Sequence, residues 1–212
     1  MPVCIACGEW TSGPLCLSCR RRLTPGRSGF VAGAAVSYAF HHSATGRMLV
    51  HRLKYHGLSS AADILSAAMA PLVPSNAAVL VPVPRATVRR VTYGVDPAKE
   101  LARRVGRILD LPVVAALRPP LWWPRHAGRT LAQRAAPVFS IRRPVAGQVV
   151  LVDDVITSGE TLRGAAAALA SPIFMAISAT SPGMMVASKA PTAPRRLRDS
   201  TAPRHRWVES RP

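Results

Sequence analysis

Asp153 and Asp154 stand immediately before a short hydroxyl-rich stretch, Thr157-Ser158-Gly159-Glu160-Thr161. The stretch has the makings of a phosphate cradle. Gly159 permits a positive φ and a close backbone approach, and Thr157, Ser158 and Thr161 add hydroxyl donors. A helix beginning here would aim free N–H groups and a partial positive charge at the same anion. The two acids would repel a phosphate, so they suit a different part of the ligand. A carboxylate oxygen accepts a hydrogen bond from each hydroxyl of a vicinal diol. Phosphate at one end and diol at the other describe a ribose 5-phosphate. An ordinary strand-to-helix connection explains one acid near the N-cap, but not two followed by a full phosphate loop.

Two other constellations carry chemistry. Cys4, Cys7, Cys16 and Cys19 form two Cys-x-x-Cys pairs separated by eight residues, the arrangement in which two tight knuckles face each other around a structural Zn2+. Four sulfur ligands leave no open position for substrate. Paired disulfides or a redox Cys-x-x-Cys are the alternatives; a reducing compartment disfavours the first and the second needs no doubling. Arg20, Arg21 and Arg22 follow at once and are expected to lower the thiol pKa values. The third set is Arg85, Arg89 and Arg90, which trail the Val81-Pro82-Val83-Pro84 segment. Arginines just beyond a central strand's carboxyl end can take a pyrophosphate, or they can be a solvated face.

These groups need elements to place them. Val149-Val150-Leu151-Val152 reads as a strand buried on both faces, ending at the acids, and the alanine-rich stretch from Thr161 reads as a helix. Residues 78–84 form a second short strand, 111–117 a third and 173–179 a last one. Residues 30–40 read as a strand or hairpin, and 45–55 as a helix closed by Gly57. Residues 60–70 read as a helix with Met69 in the core. Asp96-Pro97 opens another helix, with Asp96 as N-cap and Pro97 in the first position. His41 and His42 fit a surface loop better than a ligand set. The expected architecture is α/β, a mostly parallel sheet flanked by helices, with a small N-terminal zinc-binding module.

The stretch from Val149 to Thr161 resembles the signature of the type I phosphoribosyltransferases. In that family the acids contact the ribose 2- and 3-hydroxyls of phosphoribosyl pyrophosphate and the loop holds its 5-phosphate. With the four-cysteine head, Leu53-Lys54-Tyr55-His56-Gly57, the Val-Pro-Val-Pro segment and the helix start at Gly94 to Ala102, the chain is similar to the ComF family, which includes GntX-type proteins. The resemblance covers about residues 3–180. It implies a type I phosphoribosyltransferase fold, a site for phosphoribosyl pyrophosphate with Mg2+, and an association with DNA uptake in competence. Tyr93-Gly94-Val95-Asp96-Pro97-Ala98 stands where the family carries Arg-Gly-Phe/Tyr-Asn-Gln-Ala, so its arginine, asparagine and glutamine are missing. Segment 122–139 matches only loosely, at Arg125, Arg134 and Phe139. Trp122 and Trp123 there suit either a buried pair or base stacking.

The organisation that follows is a zinc-binding module in 1–24, a hinge in 24–29, a phosphoribosyltransferase-like domain in 30–180, and a basic tail in 181–212 without periodicity. The 212 residues carry 28 Lys and Arg against 10 Asp and Glu, a net charge of +18. That excess fits polyanionic partners, and it fits equally a genome that favours Arg codons. No run of eighteen apolar residues and no apolar leader is present, so the cytoplasm is the expected location. Two functions are expected: transfer of a phosphoribosyl group to an unidentified acceptor, or non-catalytic ribose-phosphate binding coupled to single-stranded DNA or a competence partner. No catalytic residue is assignable from the sequence, and neither is the oligomeric state.

Overall fold

The computed structural model describes residues 2–31, 34–85, 94–119, 137–170 and 175–182. Arg89, Arg90, Tyr93, Trp122, Trp123, Arg125, Arg134 and all of the expected 181–212 tail from residue 183 on lie outside them, while Ser181 is the last residue of the final strand.

The frame is an α/β sheet of five strands in the order β1-β2-β7-β6-β3. β1 (Ser28–Val31) and β2 (Ala34–His41) form the hairpin expected of 30–40. β2, β7 (Met175–Ser181), β6 (Val149–Val155) and β3 (Val79–Pro82) then run parallel to one another. Alternation along the strands divides the core, because successive side chains leave a strand on opposite faces. Val150 and Val152 of β6 pack into one cluster with Leu80 and Ile177, under the helices α2 (Ala44–His56), α3 (Ser59–Met69) and α4 (Pro97–Leu109). Val149 and Leu151 pack into the other with Val79, Val81 and Phe139, under α5 (Glu160–Ala168). A run apolar at every position is what a strand covered on both faces requires.

Local chemistry explains the helix ends. Gly57 takes φ 59°, the left-handed conformation that lets its N–H return to the carbonyls of α2. Asp96 caps α4 by accepting from the Lys99 N–H at 3.4 Å, with Pro97 opening the first turn. Met69 is fully buried, as its place in the apolar stripe of 60–70 implies.

Three expectations need correction. The strand does not stop at the acids: β6 continues through Asp153 and Asp154 to Val155, because β7 pairs with it that far. Residues 111–117 do not make one strand. Leu80 donates to Pro112 and accepts from Val114, after which the Ala116 N–H turns back to Val114; the chain leaves the sheet and pairs again only as β4 (Leu117–Arg118) against β5 (Ser140–Ile141). Residues 24–29 are no free hinge. Their backbone bonds to β2, with Gly26 N–H to Ala39, Tyr38 N–H to Arg27 and His41 N–H to Thr24.

The cysteine head is seated on the same core. Cys4, Ala6, Leu15 and Cys19 join the cluster that holds Leu49 and Leu53 of α2, and the Thr45 hydroxyl donates to the Cys19 carbonyl at 2.9 Å. A short helix, α1 (Leu17–Arg21), carries the second knuckle. Among the described residues no helix is long and apolar enough to cross a membrane.

Candidate functional site

The carboxyl ends of β3, β6, β7 and β2 lie along one edge of the parallel sheet, where open α/β sheets leave room for ligands. β6 delivers the acids there. Asp154 has the parity of Val150 and Val152 and faces α2, where its Oδ2 meets Lys54 Nζ at 2.9 Å. Only 12 % of the Asp154 side chain and 23 % of the Lys54 side chain is exposed, so water screens this pair little. Asp153 has the opposite parity. Its Oδ1 accepts from the Asp154 N–H at 2.7 Å, curling the side chain over the strand end.

The two acids therefore differ in kind. The Asp153 side chain is half-buried, and desolvation holds its pKa well above the usual carboxylate range; the neighbouring Asp154 charge adds to the rise, while Lys54 opposes it. The site thus keeps one acid balanced by a lysine and the other prone to hold a proton. Such a pair presents far less negative charge than two free carboxylates would.

Past Ile156, whose N–H donates to the Thr180 carbonyl, the chain bends through Thr157 and Ser158 into α5. Gly159 takes φ 79° at the N-cap, a conformation a side chain would strain, and makes no side-chain cap. Gly159 offers no side chain to the first N–H groups of α5; around it Thr157 is exposed and Ser158 and Thr161 are half-buried. Glu160 is turned away into an ion pair with Arg163 at 3.1 Å. Gly159 is the left-handed residue of this turn, and Glu160 is engaged within its own helix.

Two residues that the sequence reading did not place here belong to the neighbourhood. Lys54 was visible only as part of a motif; its partner is far along the chain. His42 lies just past β2, and its Nδ1 is 2.8 Å from the Thr180 hydroxyl, one strand from the acids. Burial lowers its pKa first, the Lys54 and Arg47 charges lower it further, and Asp154 opposes them. His42 is half-buried with its pKa held below the ordinary value, and His41 is the last residue of β2, so neither sits in the open surface loop expected. The signal for His42 in the sequence was only its position at the end of a parallel strand. Arg85 sits beyond β3, with its guanidinium 3.4 Å from the Lys54 carbonyl and 5.7 Å from the centre of the Tyr55 ring. It is tied to the last turn of α2 near the acids.

The cysteines form a separate centre. All four Sγ atoms lie within 4.8 Å of one another, and Cys7 and Cys16 are 3.7 Å apart. A tetrahedral ion with metal–sulfur bonds of about 2.3 Å needs sulfurs about 3.8 Å apart, so the cluster is the right size to hold a metal ion. None of the four is in a disulfide. Burial raises the Cys4 thiol, but the backbone N–H groups of Cys7, Cys16 and Ala6 outweigh it and bring its pKa to about 6. These N–H groups lower it, and not Arg20, Arg21 and Arg22 as expected. Cys19 is pushed up to about 12 by burial and by the other sulfurs. Four sulfurs this close cannot all ionise without a cation among them.

Compared with known proteins, the chain matches no protein-family model and no curated protein. The likeness to the ComF family rests on the residues quoted above.

Proposed function

We propose that the protein binds phosphoribosyl pyrophosphate at the carboxyl edge of β6 and transfers its phosphoribosyl group to an acceptor, on a type I phosphoribosyltransferase frame of the ComF kind. The observation that carries the reading is the succession of the buried strand, the unequal acids Asp153 and Asp154, and a loop that enters α5 through a left-handed Gly159. The 5-phosphate would sit on the Thr157–Thr161 loop, held by the α5 N–H groups and the hydroxyls. Asp154, aligned by Lys54, would accept from a ribose hydroxyl. Asp153, whose pKa burial holds high, would meet the other hydroxyl, and the acidic pair would tolerate the positive charge growing at C1 as pyrophosphate leaves. The low net charge of the acid–lysine set supports the reading, because it admits an anionic sugar. Mg2+ would arrive as the counter-ion of the pyrophosphate. Arg85, tied to the last turn of α2, would meet that group, with Arg89 and Arg90 as the other contacts expected. Zn2+ in the Cys4, Cys7, Cys16 and Cys19 cluster would be structural, holding the head against α2.

The replacement of the family's arginine, asparagine and glutamine by Tyr93, Asp96 and Pro97 favours a second reading, a ribose-phosphate-binding protein without turnover. Asp96 and Pro97 instead start α4. Calorimetric titration with phosphoribosyl pyrophosphate and Mg2+ tests the shared step. Saturable binding with release of pyrophosphate on adding bases or amines supports the transferase, and binding without release supports the second reading. Absent binding ends both.

A further inference from the structure

Beside the carboxyl end of β3, a basic trough opens between the start of α4 and the β4–β5 ribbon. Two adjoining cavities, of about 390 Å³ and about 230 Å³, share Pro82, Lys99, Ala115 and Arg142 among their walls. Lys99, Arg103, Arg118, Arg142 and Arg143 line them, and Asp96 is the sole acid among their lining residues. No residue of the 153–161 stretch takes part.

Stability does not account for this arrangement. Lys99 and Arg103 are one helical turn apart on α4, a like-charge pair that weakens a helix. The same helix shows that carboxylates are at hand: Arg104 is ion-paired with both Asp63 and Glu100. Those acids serve the neighbouring face, and no ion pair with a described residue engages any of the five cations of the trough. Two of the five are also fixed in place by the backbone. The Arg142 and Arg143 N–H groups both donate to the Ala116 carbonyl, at 2.7 and 3.3 Å, so the β4–β5 ribbon holds consecutive arginines against the cavity. A codon preference for arginine would scatter charge over the surface; here cations from α4, β4 and the turn after β5 converge on one concavity.

We infer that this trough is a second anion site, distinct from the ribose-phosphate pocket, for a ligand carrying consecutive phosphate groups. Guanidinium forks match phosphate oxygens in pairs, and several forks around one cavity favour a multiply charged anion over a single phosphate. The described walls offer prolines, alanine, valine and leucine but no aromatic ring, so the site reads phosphates and not bases. The phosphates can come from a small polyphosphate or from a nucleic-acid backbone. The inference does not depend on the transferase reading.

The test titrates the full chain with inorganic tripolyphosphate and, separately, with a labelled oligothymidylate, at low and raised salt. The comparison is with Arg118→Gln/Arg142→Gln/Arg143→Gln. These side chains are exposed, and melting curves confirm that the variant is folded. Wild type is expected to bind with an affinity that falls as salt rises, and the triple variant to bind on the order of tenfold more weakly or worse. Asp154→Asn is expected to leave tripolyphosphate binding unchanged, which separates this site from the ribose-phosphate pocket. Tighter binding of oligothymidylate assigns the site to a nucleic-acid backbone; tighter binding of tripolyphosphate assigns it to a small ligand. If wild type binds neither anion at low salt, or if the folded triple variant binds both as well as wild type, the inference is wrong.

Discussion

Lys54→Met removes the ammonium from the Asp154 ion pair while keeping most of the apolar stem. The pair is 2.9 Å long with both side chains mostly buried, and the loss leaves Asp154 without its partner beside the carboxyl of Asp153. Breaking a fully buried pair from one side costs about 3–5 kcal/mol; the partial exposure of Lys54 brings the expected cost to about 2–3 kcal/mol. For a chain of this size that is a fall of roughly 5–10 °C in Tm. The attribution is tested by a double-mutant cycle with Asp154→Asn, read by denaturant unfolding. If the ion pair is the cause, Asp154→Asn recovers much of the loss caused by Lys54→Met, with a coupling of about 1–2 kcal/mol. A Lys54→Met variant within about 0.5 kcal/mol of wild type, or a cycle with no coupling, would refute the claim that Lys54 stabilises and orients the acid.

Further predictions concern the rest of the frame. Protein prepared with zinc should carry one ion per chain, lose it on chelation or in Cys16→Ser, and melt at a lower temperature without it; a chain that holds no metal contradicts the structural role given to the cysteines. Gly164→Ala should destabilise by about 1–2 kcal/mol, because the new methyl meets the Pro137 carbonyl and that clash outweighs the helix-propensity gain of about 1 kcal/mol; a more stable variant would show that the contact is loose. His42 is held below its ordinary value of 6.5, so the unfolded chain takes up its proton before the folded one as pH falls. Stability should therefore drop as pH falls through 6.5, and His42→Gln should flatten that slope in melts followed across the range; an unchanged slope would place the titration elsewhere.

What the sequence made legible was local. Asp96-Pro97 marks a helix start through an N-cap and a fixed φ, Gly57 marks a helix end through its left-handed backbone, and the valines of β6 declare a strand covered on both faces. The Cys-x-x-Cys pairs could be brought together on paper because their spacing constrains the geometry. The interactions that give the site its character are between distant residues. Nothing near Asp154 announces Lys54, and nothing near His42 announces Thr180; both contacts arise only when β2, β7 and β6 align and α2 folds over them. The basic trough was hidden for the same reason, since Lys99, Arg118 and Arg142 come from three separate elements. The break in 111–117 was missed because a run of apolar residues does not reveal the turn that the Ala116 N–H makes to Val114.

The central claim is that the end of β6 and the loop behind it form a ribose-phosphate pocket. Calorimetric titration of wild type and Asp154→Asn with phosphoribosyl pyrophosphate and Mg2+ tests it most directly. The account predicts one saturable site per chain in wild type, and binding on the order of tenfold weaker in a folded Asp154→Asn variant that has lost its charge-assisted contact to a ribose hydroxyl. No binding by wild type, or equal binding by both proteins, would contradict it.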